Sequence, residues 1–139
     1  MELRDATFPD LEALLPLMRL AHANSMFAEI AMNEATVQRN FVIAIKFDQF
    51  AKVVEIDGEV MGGMFGVMGE NQYGIRCAQD LFCFSRAGTD QLIYAYKKWA
   101  KERGAQFVQI CDLSGNSRYQ EIIAGLGFQP AGINFVEVA

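Results

Sequence analysis

A chain of 139 residues, 52% of them apolar, is long enough to bury a core as one domain and too apolar to be disordered. Its net charge of −5 argues against the basic stripe that nucleic-acid binding needs, and no apolar run approaches a membrane span, the best being Phe41 to Ile45. Three cysteines and one histidine, without metal-ligand spacing, fit reduced structural thiols at Cys77, Cys83 and Cys111; no metal is expected. The mixed start Glu2-Leu3-Arg4-Asp5 is unlike a secretory leader, so the expected location is the cytoplasm.

In chain order, Glu2 to Ala6 reads as a short strand, and Thr7-Phe8-Pro9-Asp10 as the start of a helix. Leu11, Leu14, Leu15, Met18 and His22 hold the helical period there, with Pro16 expected to kink it. A loop from Asn24 to Met32 leads to a second helix, about Asn33 to Lys46, with Val37, Phe41, Ala44 and Ile45 as its buried stripe. Phe50 to Ile56 and Glu59 to Met68 read as strands joined by Asp57-Gly58, a strong hairpin signal. Gly62, Gly63 and Gly66 weaken the second of these as sheet but permit bulges or close backbone approach.

After a polar turn from Gly69 to Gly74 comes the stretch that carries the chemistry. Leu81, Phe82, Cys83 and Phe84 form an apolar run typical of a buried strand. Ser85-Arg86-Ala87-Gly88 breaks it, and Thr89 or Asp90 can cap a helix that runs to Arg103 and closes at Gly104. Leu92, Tyr96 and Trp99 share one side of that helix, widened by Ile93, Ala95 and Ala100. A strand, a glycine-bearing turn and a helix start make an anion cradle, because the first turn has unpaired N–H groups and the positive dipole end; Arg86 adds a cation. Ala105 to Cys111 reads as a strand parallel to the central one, Ser117 to Leu126 as a last helix ended by Gly127, and Ile133 to Val138 as a final strand.

The resulting order, β-α-α-β-β-β-α-β-α-β, is an α+β (three-layer) arrangement around a mixed, mostly antiparallel twisted sheet. With these elements the chain resembles the GCN5-related N-acetyltransferases over almost its full length. Leu3 to Thr7 with Asp10 resembles the family's opening, Asp57 to Gly63 its hairpin, and Asn116 with Ile122 and Leu126-Gly127-Phe128 its closing motif. The blocks His22-Ala23-Asn24-Ser25, Asp80-Leu81-Phe82 and Trp99-Ala100 resemble a compact subgroup common in bacterial and phage genomes.

The resemblance implies an N-acetyltransferase that binds acetyl-CoA and an amine acceptor, either a small molecule or a protein, in a ternary complex; a catalytically weak relative that acts by binding a protein is the alternative. It implies a splayed parallel pair whose central strand, Leu81, Phe82, Cys83 and Phe84, meets the pantetheine arm. The amides of Arg86, Ala87, Gly88, Thr89, Asp90 and Gln91 would hold the pyrophosphate, and Asn116 the cofactor's amide; Asn116 could instead cap the last helix. An N–H near Leu81 to Cys83 would polarise the thioester carbonyl. Asp80 is the candidate base, or a charge at a strand edge, and His22 lines the acceptor pocket or is a partnered structural residue. Met26, Phe27, Met61, Met64 and Met68 form an apolar acceptor surface or ordinary core, and a homodimer is the expected partner state where there is one.

Two departures from the family pattern stand out. The phosphate loop is shortened to one glycine, with Asp90 in the first helical turn, and Ile123 stands where the family commonly carries its general-acid tyrosine. Tyr119, one turn earlier, is expected to face elsewhere on the helix.

Overall fold

The structure, a computed structural model, describes residues 1–132 and 134–139. Its elements are β1 (Glu2–Asp5), α1 (Asp10–Ala23), α2 (Glu34–Lys46), β2 (Phe50–Ile56), β3 (Glu59–Glu70), β4 (Arg76–Ser85), α3 (Thr89–Glu102), β5 (Phe107–Gln109) and α4 (Ser117–Gly125). The strands lie side by side in sequence order; β1 to β4 are antiparallel and β5 runs parallel to β4. This is the expected α+β class and mixed sheet.

Alternation along the strands divides the side chains between two cores. Ala51, Val53 and Phe65 point to one face and pack with Leu14, Leu17, Met18, Phe41 and Ala44 of α1 and α2. Phe50, Val54 and Met64 point to the other and pack with Leu92, Ile93, Tyr96 and Ala100 of α3; Tyr119, Ile122 and Ile123 of α4 join them. Helices therefore cover both faces, as a sheet with apolar residues on both sides requires.

Local chemistry accounts for the joints. Asp57 (φ 51°) and Gly58 (φ 79°) both take positive φ, as a two-residue hairpin turn demands. Asn33 caps α2 by accepting the Thr36 N–H at 3.1 Å. Asp10, 7% exposed, accepts from Thr7 N–H at 2.7 Å and takes both arms of the Arg4 guanidinium at 2.8 and 2.9 Å. That pairing holds the Asp10 carboxyl below its ordinary range against the opposing effect of burial. Arg4 also reaches Glu55 at 2.5 Å, so one cation pins α1 and β2 to the first strand. Pro16 sits on the exposed side of α1, which continues through it as one helix.

The glycines of β3 mark close approach. A Cβ at Gly62 would fall 2.2 Å from the Ser85 Cα, and one at Gly66 would fall 2.6 Å from the Tyr96 ring.

Three boundaries depart from expectation. Neither Thr89 nor Asp90 caps α3: Gly88 does, at φ 68° and without a side-chain bond. β5 is Phe107–Gln109 rather than Ala105 to Cys111, because its ladder with β4 ends at the pair Gln79–Gln109. The final strand is not formed at residues 134–138, and Ile133 lies outside the described residues. The propensity is there, but a strand also needs a ladder, and among the described residues β5 is paired on the β4 side alone.

Candidate active site

The site grows from a single irregularity in β4. Phe82 faces Phe65 and Asp80 faces Gly66, so Leu81 is an extra residue without a partner, a β-bulge that bends the strand. Two residues before the bulge, at Gln79, pairing with β5 stops. The two parallel strands then part, and the β5-facing backbone groups of β4 past the bulge have no ladder partner. The expected splay is therefore present, at the expected strands.

Asp80 sits at the vertex. One carboxylate oxygen accepts the Cys111 N–H at 3.0 Å, standing in for the backbone carbonyl that a continued ladder would supply. Burial pushes its pKa up to about 6, with the Cys111 N–H acting in the opposite sense. A carboxylate of that strength is ionised at neutral pH yet basic enough to accept a proton.

Tyr119 is the correction to the sequence reading. Its side chain packs into the α3-side core instead of facing away, and burial raises its pKa. Residues four apart on a helix share a face, so Tyr119 and Ile123 both look into the same core; the signal lay in the spacing. Burial pushes the Cys83 thiol up to about 12, and partial desolvation with the Asp80 and Asp112 carboxylates raises Cys111 as well. Both thiols stay protonated and neither is a nucleophile. Hydrogen bonds from Ser114 and Gln120 hold Asp112 below its ordinary range although desolvation opposes them, so it remains an anion.

The anion cradle is narrower than expected. Arg86 N–H is already bonded to the Met61 carbonyl at 3.0 Å, and Ala87 N–H reaches the Ser85 hydroxyl at 3.3 Å. The first bond of α3 runs from Leu92 N–H to the Gly88 carbonyl, so the amides of Gly88, Thr89, Asp90 and Gln91 have no backbone partner among the described residues. Those four, at a helix start with Gly88 turned left-handed, suit an anion such as a diphosphate.

Other expected residues lie around this frame. Asn116 caps α4, its side-chain oxygen accepting Tyr119 N–H at 3.1 Å, which leaves its amide nitrogen available. His22 is half-buried in the last turn of α1; no hydrogen bond joins its ring to Asp80. Of the methionine set, Met64 is buried core and Met26 is 54% exposed. The loop that carries Met26 is bonded across to the β5–α4 loop, Met26 N–H to the Leu113 carbonyl at 3.0 Å. No group of metal ligands occurs among the described residues, and no helix is long and apolar enough to cross a membrane.

A sheet parted at one parallel pair, with a helix start at the far end of the central strand, defines an acetyltransferase fold, and solved structures agree. The chain is similar to ribosomal-protein-alanine N-acetyltransferase from Brucella melitensis, at 12% identity and TM-score 0.71, covering 100% of both chains. It is similar to an aminoglycoside acetyltransferase from an uncultured soil metagenomic sample, at 15% identity and TM-score 0.70, covering 99% of this chain and 95% of that one. An aminoglycoside 6′-N-acetyltransferase from Acinetobacter haemolyticus matches at 15% identity and TM-score 0.67, covering 100% and 99%. No protein-family model matches the sequence, and neither does any curated protein. The fold is that of the GCN5-related N-acetyltransferases.

Proposed function

We propose that this protein is an acetyl-CoA-dependent N-acetyltransferase that moves an acetyl group to an amine of a small molecule or protein, acting in the cytoplasm. The observation that carries the reading is the parting of β4 from β5 at Asp80, with free amides at the start of α3. Acetyl-CoA as substrate would lay its pantetheine along the unpaired edge of β4 beyond Leu81, and its diphosphate on the Gly88 to Gln91 amides. An N–H of the bulged segment near Leu81 to Cys83 would polarise the thioester carbonyl.

Transfer is a positioning problem: an amine is held against that carbonyl and must lose a proton as its bond to carbon forms. Asp80 takes that proton, its second oxygen being unengaged by the Cys111 N–H. Tyr119, whose hydroxyl burial keeps protonated, would donate a hydrogen bond to the departing thiolate, in place of the tyrosine that the family commonly carries at Ile123. Asn116 holds an amide of the pantetheine arm through its nitrogen, and His22 faces the acceptor.

Calorimetry with CoA, followed by thiol release from acetyl-CoA over a panel of amines, tests the reading. CoA binding with transfer to at least one amine supports it. Binding without transfer to any amine or cell lysate favours the protein-binding alternative, which the missing tyrosine at Ile123 motivates. No binding at millimolar CoA ends both versions of the cofactor site.

A further inference from the structure

Two side chains, not one, stand where the β4–β5 ladder ends. Asp80 accepts the Cys111 N–H at 3.0 Å. Tyr96 of α3 donates its hydroxyl to the carbonyl of Gln109, the last paired residue of β5, at 2.9 Å. Gln109 and Cys111 are two residues apart, the repeat of a strand, so a carbonyl and the next amide along one edge of the chain are each held by a side chain.

Tyr96 reaches that carbonyl because β3 leaves its path clear. A Cβ at Gly66 would lie 2.6 Å from the Tyr96 ring, and Gly66 is the β3 residue that faces Asp80. Phe50, edge-on at 5.5 Å, and Trp99, stacked at 6.0 Å, fix the ring in place. Tyr96 is fully buried, and burial holds its hydroxyl protonated, so it stays a donor. The apolar stripe of α3 asks only for a ring at this position, which phenylalanine would supply without the cost of burying a hydroxyl. The hydroxyl is accounted for by the one carbonyl it meets.

We infer that Tyr96 is a positioning residue: its hydroxyl pins the end of β5, and together with Asp80 it holds β5 off β4 so that the gap stands open before any cofactor arrives. The use of the gap rests on the acetyl-CoA reading; the bracket itself does not. Without the hydroxyl, Gln109 is released, and Cys111, two residues on, leaves Asp80 with it. A gap held ready spares a ligand the cost of opening it, which is affinity gained by preorganisation.

Tyr96→Phe removes one oxygen and keeps the ring. In NMR spectra of the parent, the Cys111 amide proton is expected to shift as its carboxylate partner titrates near pH 6. Cys83, Cys111, Tyr96 and Tyr119 are raised and Asp112 is lowered, so that step belongs to Asp80. In Tyr96→Phe the step is expected to shrink by roughly half or more, and the calorimetric Kd for CoA to rise about tenfold, the worth of one hydrogen bond. Val53→Ala, which thins the core on the other face of the sheet, is the control: it should lower the melting temperature and leave both the step and the Kd unchanged. A parent without the step, a step unchanged in Tyr96→Phe, or a Kd unchanged where the parent binds CoA overturns the assignment, as do losses that Val53→Ala reproduces. A parent that binds no CoA defeats the acetyltransferase reading alone, and the Cys111 step then decides whether Tyr96 holds the gap.

Discussion

Asp80→Asn is expected to make the protein more stable and less active, and the size of the first effect follows from the structure. Burial raises the Asp80 carboxyl from 3.8 to about 6. At 1.36 kcal/mol per pH unit, ionising it in the folded chain costs about 3 kcal/mol relative to the unfolded chain. The folded-state value lies above the unfolded one, so the contribution is fully favourable below about pH 4. It declines as pH rises through 6, where the unfolded chain has released its proton and the folded chain gives it up at a cost. Asparagine keeps an oxygen for the Cys111 N–H and has nothing to ionise. With an unfolding entropy of about 2.1 cal/mol/K per residue, that cost corresponds to roughly 10 °C in melting temperature. Thermal melts by circular dichroism at pH 7.5 and pH 4 are the assay: the variant should melt roughly 10 °C higher at pH 7.5 and together with the parent at pH 4. A variant no more stable than the parent at pH 7.5, or equally stabilised at both pH values, would refute the burial argument. Acetyl transfer by the same variant should fall on the order of 100-fold or more if Asp80 is the base, with CoA affinity unchanged.

Gly66→Ala should destabilise by about 1–3 kcal/mol in urea unfolding, because its Cβ would lie 2.6 Å from the ring of the fully buried Tyr96. Asp90→Asn removes an anion beside the Gly88 to Gln91 amides, so CoA should bind several-fold more tightly by calorimetry, at a loss of about 0.5 kcal/mol of helix stability. Tyr119→Phe should lower kcat for acetyl transfer with KM for acetyl-CoA held, measured by thiol release; an unchanged kcat removes Tyr119 as a hydrogen-bond donor to the thiolate.

Most of the frame was legible in the chain because the governing interactions are local. The turn at Asp57-Gly58 dictates its hairpin through two positive φ angles, and the apolar stripes of α2 and α3 name their buried faces. What escaped depends on partners distant in sequence. β5 is short because β4 bulges at Leu81 and offers it nothing past Gln79, a fact invisible in the apolar run from Ala105 to Cys111. Valines and a phenylalanine near the C-terminus announce a strand, yet nothing within them supplies a ladder. The cradle was read two residues too wide, since the Arg86 amide is claimed by Met61, a hairpin away, and the Ala87 amide by Ser85. Tyr119 was legible and misjudged: helical geometry puts it beneath Ile123 without any tertiary knowledge.

The bond from Met26 to Leu113 has a consequence for how acceptors are told apart. Leu113 stands two residues from Cys111, whose N–H rests on Asp80, so a short tether runs from the loop between α1 and α2 to the proposed base. A bulky guest that wedges that loop outward drags on the very oxygen it must use, whereas a compact one leaves it in place. On the proposed reading, size discrimination and proton removal are thus mechanically joined, and a redesign for larger amines has to slacken the tether before it widens the door.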